Sequence, residues 1–204
     1  EGEWPAQLTE GTLDLPADSY VIFVNDDNVG GGNGMSIEQA LPTLELGASA
    51  ASYYEANYGV DVSAIIVAKG TYGSFANDAG LRVIGACPEE TIIENNNPSL
   101  PAVIVTGSTP ATLEDVSVRG TQGPILVFDG SLELARVHVE GRPLEAAVQD
   151  DPTSLIIRDS IIEGVQDNQV ITLGGGASLE VERTVMRDFN PDAFGGFGNI
   201  AIRA

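Results

Sequence analysis

Between Ala111 and Phe189 the apolar residues alternate with polar ones in short bursts, and the same burst is written four times: ATLEDVSVRG, SLELARVHVEG, SLIIRDSIIEG and SLEVERTVMRDF. Aligned, they place Ala111, Leu132, Leu155 and Leu179 at one position, and Leu113, Leu134, Ile157 and Val181 two residues on. A third set, Val118, Val139, Ile162 and Met186, follows five residues later. The copies advance by 21, 23 and 24 residues (132 − 111, 155 − 132, 179 − 155). That period is too short for two packed helices and is filled with β-branched residues, so it predicts a solenoid with one coil per repeat. Alternate apolar positions should fill the tube while the residues between them face water.

Secondary apolar runs lie between the main copies: ILVF at 125–128, AAV at 146–148, VITL at 170–173 and IAI at 200–202. Each coil is therefore expected to hold more than one strand, stacked in parallel about 4.8 Å from its equivalent in the next coil. Asp115, Arg136, Asp159 and Arg183 share one repeat position and alternate in sign. Stacking would set each carboxylate beside a guanidinium, the other reading being a row of solvated bend residues. At the far end, NIAIRA carries a strand to the last residue. Either Asn190 to Gly198, with Phe194 and Phe197, folds across that coil and seals it, or the coil is open to self-assembly or a following domain.

The chain ahead of the repeats reads differently. Residues 1–19 are polar, broken by Pro5, Gly11 and Pro16, and are expected to form an extended lead-in anchored by Trp4. YVIFV at 20–24 reads as a strand ending at the loop NDDNVGGGNG. Ser36 with Gln39 resembles a capping box, and a second helix is expected from Thr43 to Tyr58. Leu44, Gly47, Ala48, Ala51, Tyr54 and Tyr58 fall near one face of it, as a helix covering an open solenoid end requires. Tyr53, Tyr54 and Tyr58 are read as packing in this cap, with a sugar-stacking platform as the alternative. Residues 20–62 thus form a first strand and helical cap, and coils run from 63 to 204, opening on Ile65, Ile66 and Val67. The interval from Leu81 to Ala111 is longer than the later ones, which places an insertion at ENNNPSLP, where binding loops commonly protrude.

Composition narrows the functions. The 204 residues are 43% apolar with a mean hydropathy of +0.06, which suits one folded domain. Thirty acidic against nine basic residues give a net charge of −21, which repels nucleic acid and anionic membranes. No apolar run reaches the roughly 18 residues of a membrane span. Cys87 is the only cysteine, so an internal disulfide is excluded and a small buried filler is expected. The chain begins at Glu1 without an initiator Met and is read as a piece of a longer precursor.

YVIFVNDDNVGGGNG, IIVAKGTY, LRVIGACPEETII and the repeats together resemble secreted right-handed parallel β-helix proteins of the pectin-lyase-like superfamily, most closely surface-associated members from myxobacteria and their relatives. The resemblance implies an all-β, right-handed parallel β-helix with an N-terminal α-helical cap, in a secreted or cell-surface bacterial protein. Enzymes of this fold bind polysaccharide on one sheet and work through paired carboxylates, or through calcium with a basic residue. Outward candidates here are Glu114, Glu133, Glu180 and Glu182 with Arg158 among them. No catalytic signature of the superfamily can be laid onto them, and Lys69, the only lysine, lies in a turn near the cap. His138 is expected to face outward without an orienting partner. Asp26, Asp27, Asn28 and Asn33 are read as turn residues or as oxygen ligands for calcium, although their spacing lacks the EF-hand signature. The expected function is a non-catalytic structural or interaction module that needs no cofactor and contacts a polysaccharide or a surface protein. The alternative is a carbohydrate-active hydrolase or lyase with an acidic groove.

Overall fold

A computed structural model describes residues 4–16, 19–95, 97, 100–120, 124–128, 130–141, 144–146, 153–164, 171–173, 176–187, 194–196 and 199–203. The chain opens with a one-turn helix α1 (Ala6–Thr9), strand β1 (Tyr20–Val24) and helix α2 (Leu44–Tyr58). It then winds in three-strand turns. The first are β2 (Val62–Val67), β3 (Gly70–Tyr72) and β4 (Phe75–Asn77), then β5 (Arg82–Ile84), β6 (Thr91–Asn95) and β7 (Val103–Val105). Next come β8 (Ala111–Glu114), β9 (Ser117–Gly120) and β10 (Ile125–Val127), followed by β11 (Ser131–Ala135), β12 (His138–Gly141) and β13 (Leu144–Ala146). The last are β14 (Ser154–Arg158), β15 (Ile161–Gly164), β16 (Ile171–Leu173), β17 (Ser178–Glu182), β18 (Val185–Arg187), β19 (Phe194–Gly196) and β20 (Asn199–Arg203). Each turn contributes one strand to each of three sheets. Sheet A runs β1-β2-β5-β8-β11-β14-β17-β20, sheet B β3-β6-β9-β12-β15-β18 and sheet C β4-β7-β10-β13-β16-β19. Neighbouring strands are parallel, and the fold is a parallel β-solenoid.

The repeat alignment is the register of sheet A. Ala111, Leu132, Leu155, Leu179 and Ile200 are partners in adjacent strands, and so are Leu113, Leu134, Ile157, Val181 and Ile202. Leu132, Leu155 and Leu179 are at most 1% exposed, so they form a continuous aliphatic ladder inside the tube. Val118, Val139, Ile162 and Met186 stack in the same way in sheet B.

Several expectations need correction. IAI at 200–202 belongs to β20 of sheet A, so it begins a further copy of the main repeat. Its interval from Leu179 (200 − 179 = 21) matches the period, and only its short length hid it. Phe194–Gly196 is correspondingly strand β19, paired with β16; Phe197 lies outside the described residues. The solenoid begins before Ile65, because β1 already pairs in parallel with β2 and α2 is inserted between these two partners. Most of the extra length between Leu81 and Ala111 falls in two places. One is the interval 96–102 between β6 and β7; the other is the bend 85–90, against only 115–116 in the next turn. Gly85 sits in that bend because a Cβ there would lie 2.4 Å from the Asp115 carbonyl oxygen.

The helix boundaries follow local chemistry. Ser36 makes no capping bond and leads only into a 3₁₀ turn at Ile37–Gln39. Thr43 is the cap that works, its hydroxyl accepting from the Leu46 N–H at 3.2 Å, and Gly59 closes α2 in the left-handed conformation. Leu44, Gly47, Ala48 and Ala51 are buried, with α2 packed on β1, β2 and β4. The free edge of β1 is covered as well. Phe23 and Asn25 N–H groups donate to the Gly34 and Leu41 carbonyls, and the Leu41 N–H returns a bond to Phe23. Gly34 holds a positive φ of 77° there, close against Ile22 and Leu41. The lead-in is not simply extended: with α1 it lies on the outer face of sheet A. Trp4, Leu8, Leu13 and Leu15 pack there over Val21, Phe23, Ala64, Ile66 and Ile84. Trp4 meets Phe23 edge-on at 5.6 Å.

Candidate functional site

Sheet A gathers the acidic residues picked out in the sequence. Arg82, Thr112, Glu133, Ile156 and Glu180 form one outward column, and Ile84, Glu114, Ala135, Arg158 and Glu182 form the next. The two columns are cross-linked by guanidinium groups. Arg82 binds both Glu114 oxygens, at 2.5 and 3.0 Å, and Arg136 reaches the same carboxylate at 3.1 Å. Arg158 bridges Glu133 at 2.5 Å and Glu182 at 3.3 Å, and Arg183 also contacts Glu182. Glu180 adds its charge to the field around Arg158. A glycosidase pair needs one carboxyl group facing the leaving oxygen and a second facing water or the sugar. Glu114, Glu133 and Glu182 instead face arginines.

At the bend after each sheet A strand lie Asp115, Arg136, Asp159 and Arg183, and the charge alternation resolves into two pairs. Arg136 grips Asp115 through two nitrogens, at 2.7 and 2.9 Å, and Arg183 grips Asp159 at 2.6 and 2.8 Å. These hydrogen bonds hold the Asp159 carboxyl below its ordinary pKa. All four residues have positive φ, between 45° and 56°. Asp tolerates that conformation through its short polar side chain, whereas Arg has no such local excuse. The strained bend is the feature that the sequence pattern concealed.

The loop after β1 uses its polar side chains in local turns at Asn25 and Asn33 and in ties to distant backbone at Asp26 and Asn28. Asp26 accepts the Thr71 N–H at 2.9 Å, Asn28 donates to the Ala40 carbonyl at 2.6 Å, and Asn33 accepts the Met35 N–H at 2.9 Å. The Asp27 N–H donates to Asn25 at 3.0 Å. Among the described residues no three His, Cys, Asp or Glu side chains converge as metal ligands. Lys69 pairs with Glu90 at 2.5 Å. Cys87 is half-buried rather than a core filler, its thiol held above the ordinary pKa first by burial.

His138 faces outward from sheet B beside Ile161. Its Nε2 lies 3.4 Å from Glu163 Oε2 yet makes no hydrogen bond, while Arg187 holds the other oxygen of that carboxylate. Burial, reinforced by Arg119 and Arg187 and opposed by Glu140 and Glu89, pushes the imidazole below its usual 6.5. The unfolded chain therefore takes up this proton more readily than the folded one. The contribution is present in full above about pH 6.5 and is lost as pH falls through the lower folded value. Urea midpoints measured from about pH 7 down to pH 5 should fall further for the wild type than for His138→Asn. Parallel curves for the two would remove His138 as the cause.

Two further surface features lie away from sheet A. Tyr53 and Tyr58 are 54% and 65% exposed, so they do not pack beneath the helix. With Tyr54, whose hydroxyl donates to the Asn33 carbonyl at 3.1 Å, they form a cluster with ring centroids 5.7–6.0 Å apart. The second feature is a groove of about 610 Å³ between α2 and sheet C, walled on one side by Leu100 and Pro101 from the 96–102 insertion. Only that insertion hinted at it. No protein-family model matches the chain, and no curated protein or solved structure matches it. No helix among the described residues is long and apolar enough to cross a membrane.

Proposed function

We propose that this chain is a non-catalytic structural and interaction module of a secreted or cell-surface bacterial protein. Its solenoid is read as a right-handed β-helix of the pectin-lyase-like kind, with α2 as the cap over its first turn. The observation that carries the reading is the engagement of Glu114, Glu133 and Glu182 by arginines of neighbouring turns, which makes the acidic face a structural brace. The exposed tyrosines and the groove beside α2 then supply contact surface for a polysaccharide or a surface protein. Self-assembly through the last coil belongs to the same reading. No cofactor is required for it.

The test is a screen against neutral and acidic polysaccharides, with and without calcium, scored for new reducing ends and for unsaturated products. Neither should accumulate above a buffer control. Turnover that disappears in Glu133→Gln or Glu180→Gln would establish the alternative, a carbohydrate-active enzyme working on sheet A.

A further inference from the structure

We infer that the groove between α2 and sheet C binds an extended peptide segment, flanked by basic residues, which adds as a strand to the edge of β4. The inference rests on the interaction-module reading and names the partner of one of its surfaces.

The edge is the starting point. Among the described strands β4 is the terminal one of sheet C and pairs with β7 alone, in the register Phe75↔Val103, Ala76↔Ile104, Asn77↔Val105. The Phe75 N–H donates to Ala102 and the Asn77 carbonyl accepts from Thr106. In a parallel ladder alternate residues aim their backbone groups at opposite neighbours, so the N–H and C=O of Ala76 point away from β7. Ser74, Ala76 and Asp78, successive alternate residues, line the groove, and Ala76 is exposed. The open edge therefore lies within a concavity, where an added strand would gain main-chain hydrogen bonds and shelter together.

Shape and charge select the partner. A volume of about 610 Å³ falls in the range of ligand sites. Leu100 and Ile104 offer apolar contact to alternate side chains of an added strand. Glu45 on the helix side and Asp78 on the strand side leave the groove acidic, with no Lys or Arg among the described residues of its lining, on a chain of net charge −21. A cationic segment is thus favoured and an acidic one repelled. Main-chain pairing favours a peptide over a glycan, which has no repeating N–H and C=O to offer the edge.

The full chain is titrated against a labelled, end-blocked peptide of alternating valine and threonine with a lysine at each end, read by fluorescence anisotropy. Binding is expected to weaken at least about tenfold when the peptide backbone is N-methylated, and to weaken with added salt. Ala76→Pro removes the N–H that the fold does not use, a position where an edge strand tolerates proline, and should cause a similar loss. If Ala76→Pro does not fold, as judged by circular dichroism, the N-methylated peptide still decides. No binding up to about 1 mM, equal binding of the methylated peptide, or binding only of neutral oligosaccharides would overturn the inference. The polysaccharide screen is scored separately, so a silent groove and a catalytic sheet A give different results.

Discussion

Leu155→Ala should lower the stability of the folded chain by about 2–5 kcal/mol, the range for emptying a leucine-sized space in a close-packed core. Leu155 is 1% exposed and sits between Leu132 and Leu179 in the aliphatic ladder of sheet A. A neighbouring turn cannot close the gap, because each strand is held at its spacing by hydrogen bonds on both edges. Urea melts followed by circular dichroism check this. A loss below about 0.5 kcal/mol would mean that the ladder does not carry the packing.

Glycine substitutions at the bends should separate strain from pairing. At Arg136, replacement by Ala breaks the contacts to Asp115 and Glu114 and keeps the positive φ of 56°. Both carboxylates are only 11% exposed, whereas the arginine is 47% exposed. Breaking a fully buried pair costs about 3–5 kcal/mol, and solvent screening reduces this to about 1–3 kcal/mol here. Arg136→Gly loses the same contacts but relieves the backbone, so it should be less destabilising than Arg136→Ala by about 1 kcal/mol. Arg183 has the same backbone and a pair exposed on both sides. Arg183→Gly should therefore leave the urea midpoint unchanged or raise it. Equal losses for Ala and Gly at Arg136 would show that the bend stores no strain.

The repeats spoke for the fold because a solenoid writes its own register: residues one period apart are neighbours, so alignment of the copies was already a contact map. Where a strand was short and set apart from a full copy, as at Phe194–Gly196 and IAI, the pattern lost its phase. The bend conformation was hidden for another reason. Asp and Arg at 115, 136, 159 and 183 read as a charge ladder, and nothing about arginine signals a left-handed backbone. The groove depends on where α2 leaves the helix side chains Glu45, Ser49 and Ser52 relative to β4, a relation between segments that share no repeat. His138 was legible as outward-facing, but its lowered pKa comes first from burial and then from Arg119 and Arg187, all of which depend on how the turns stack around it.

The alternating signs at the bends also constrain how such a chain can change length over generations. Excising the turn that carries Arg136 would seat Asp115 against Asp159, and excising the one that carries Asp159 would seat Arg136 against Arg183. Like charges on adjacent strands repel at about 4.8 Å, so losses or duplications of a single turn meet a penalty that paired events avoid. Parity, rather than a fixed number of turns, is what the Asp/Arg alternation conserves.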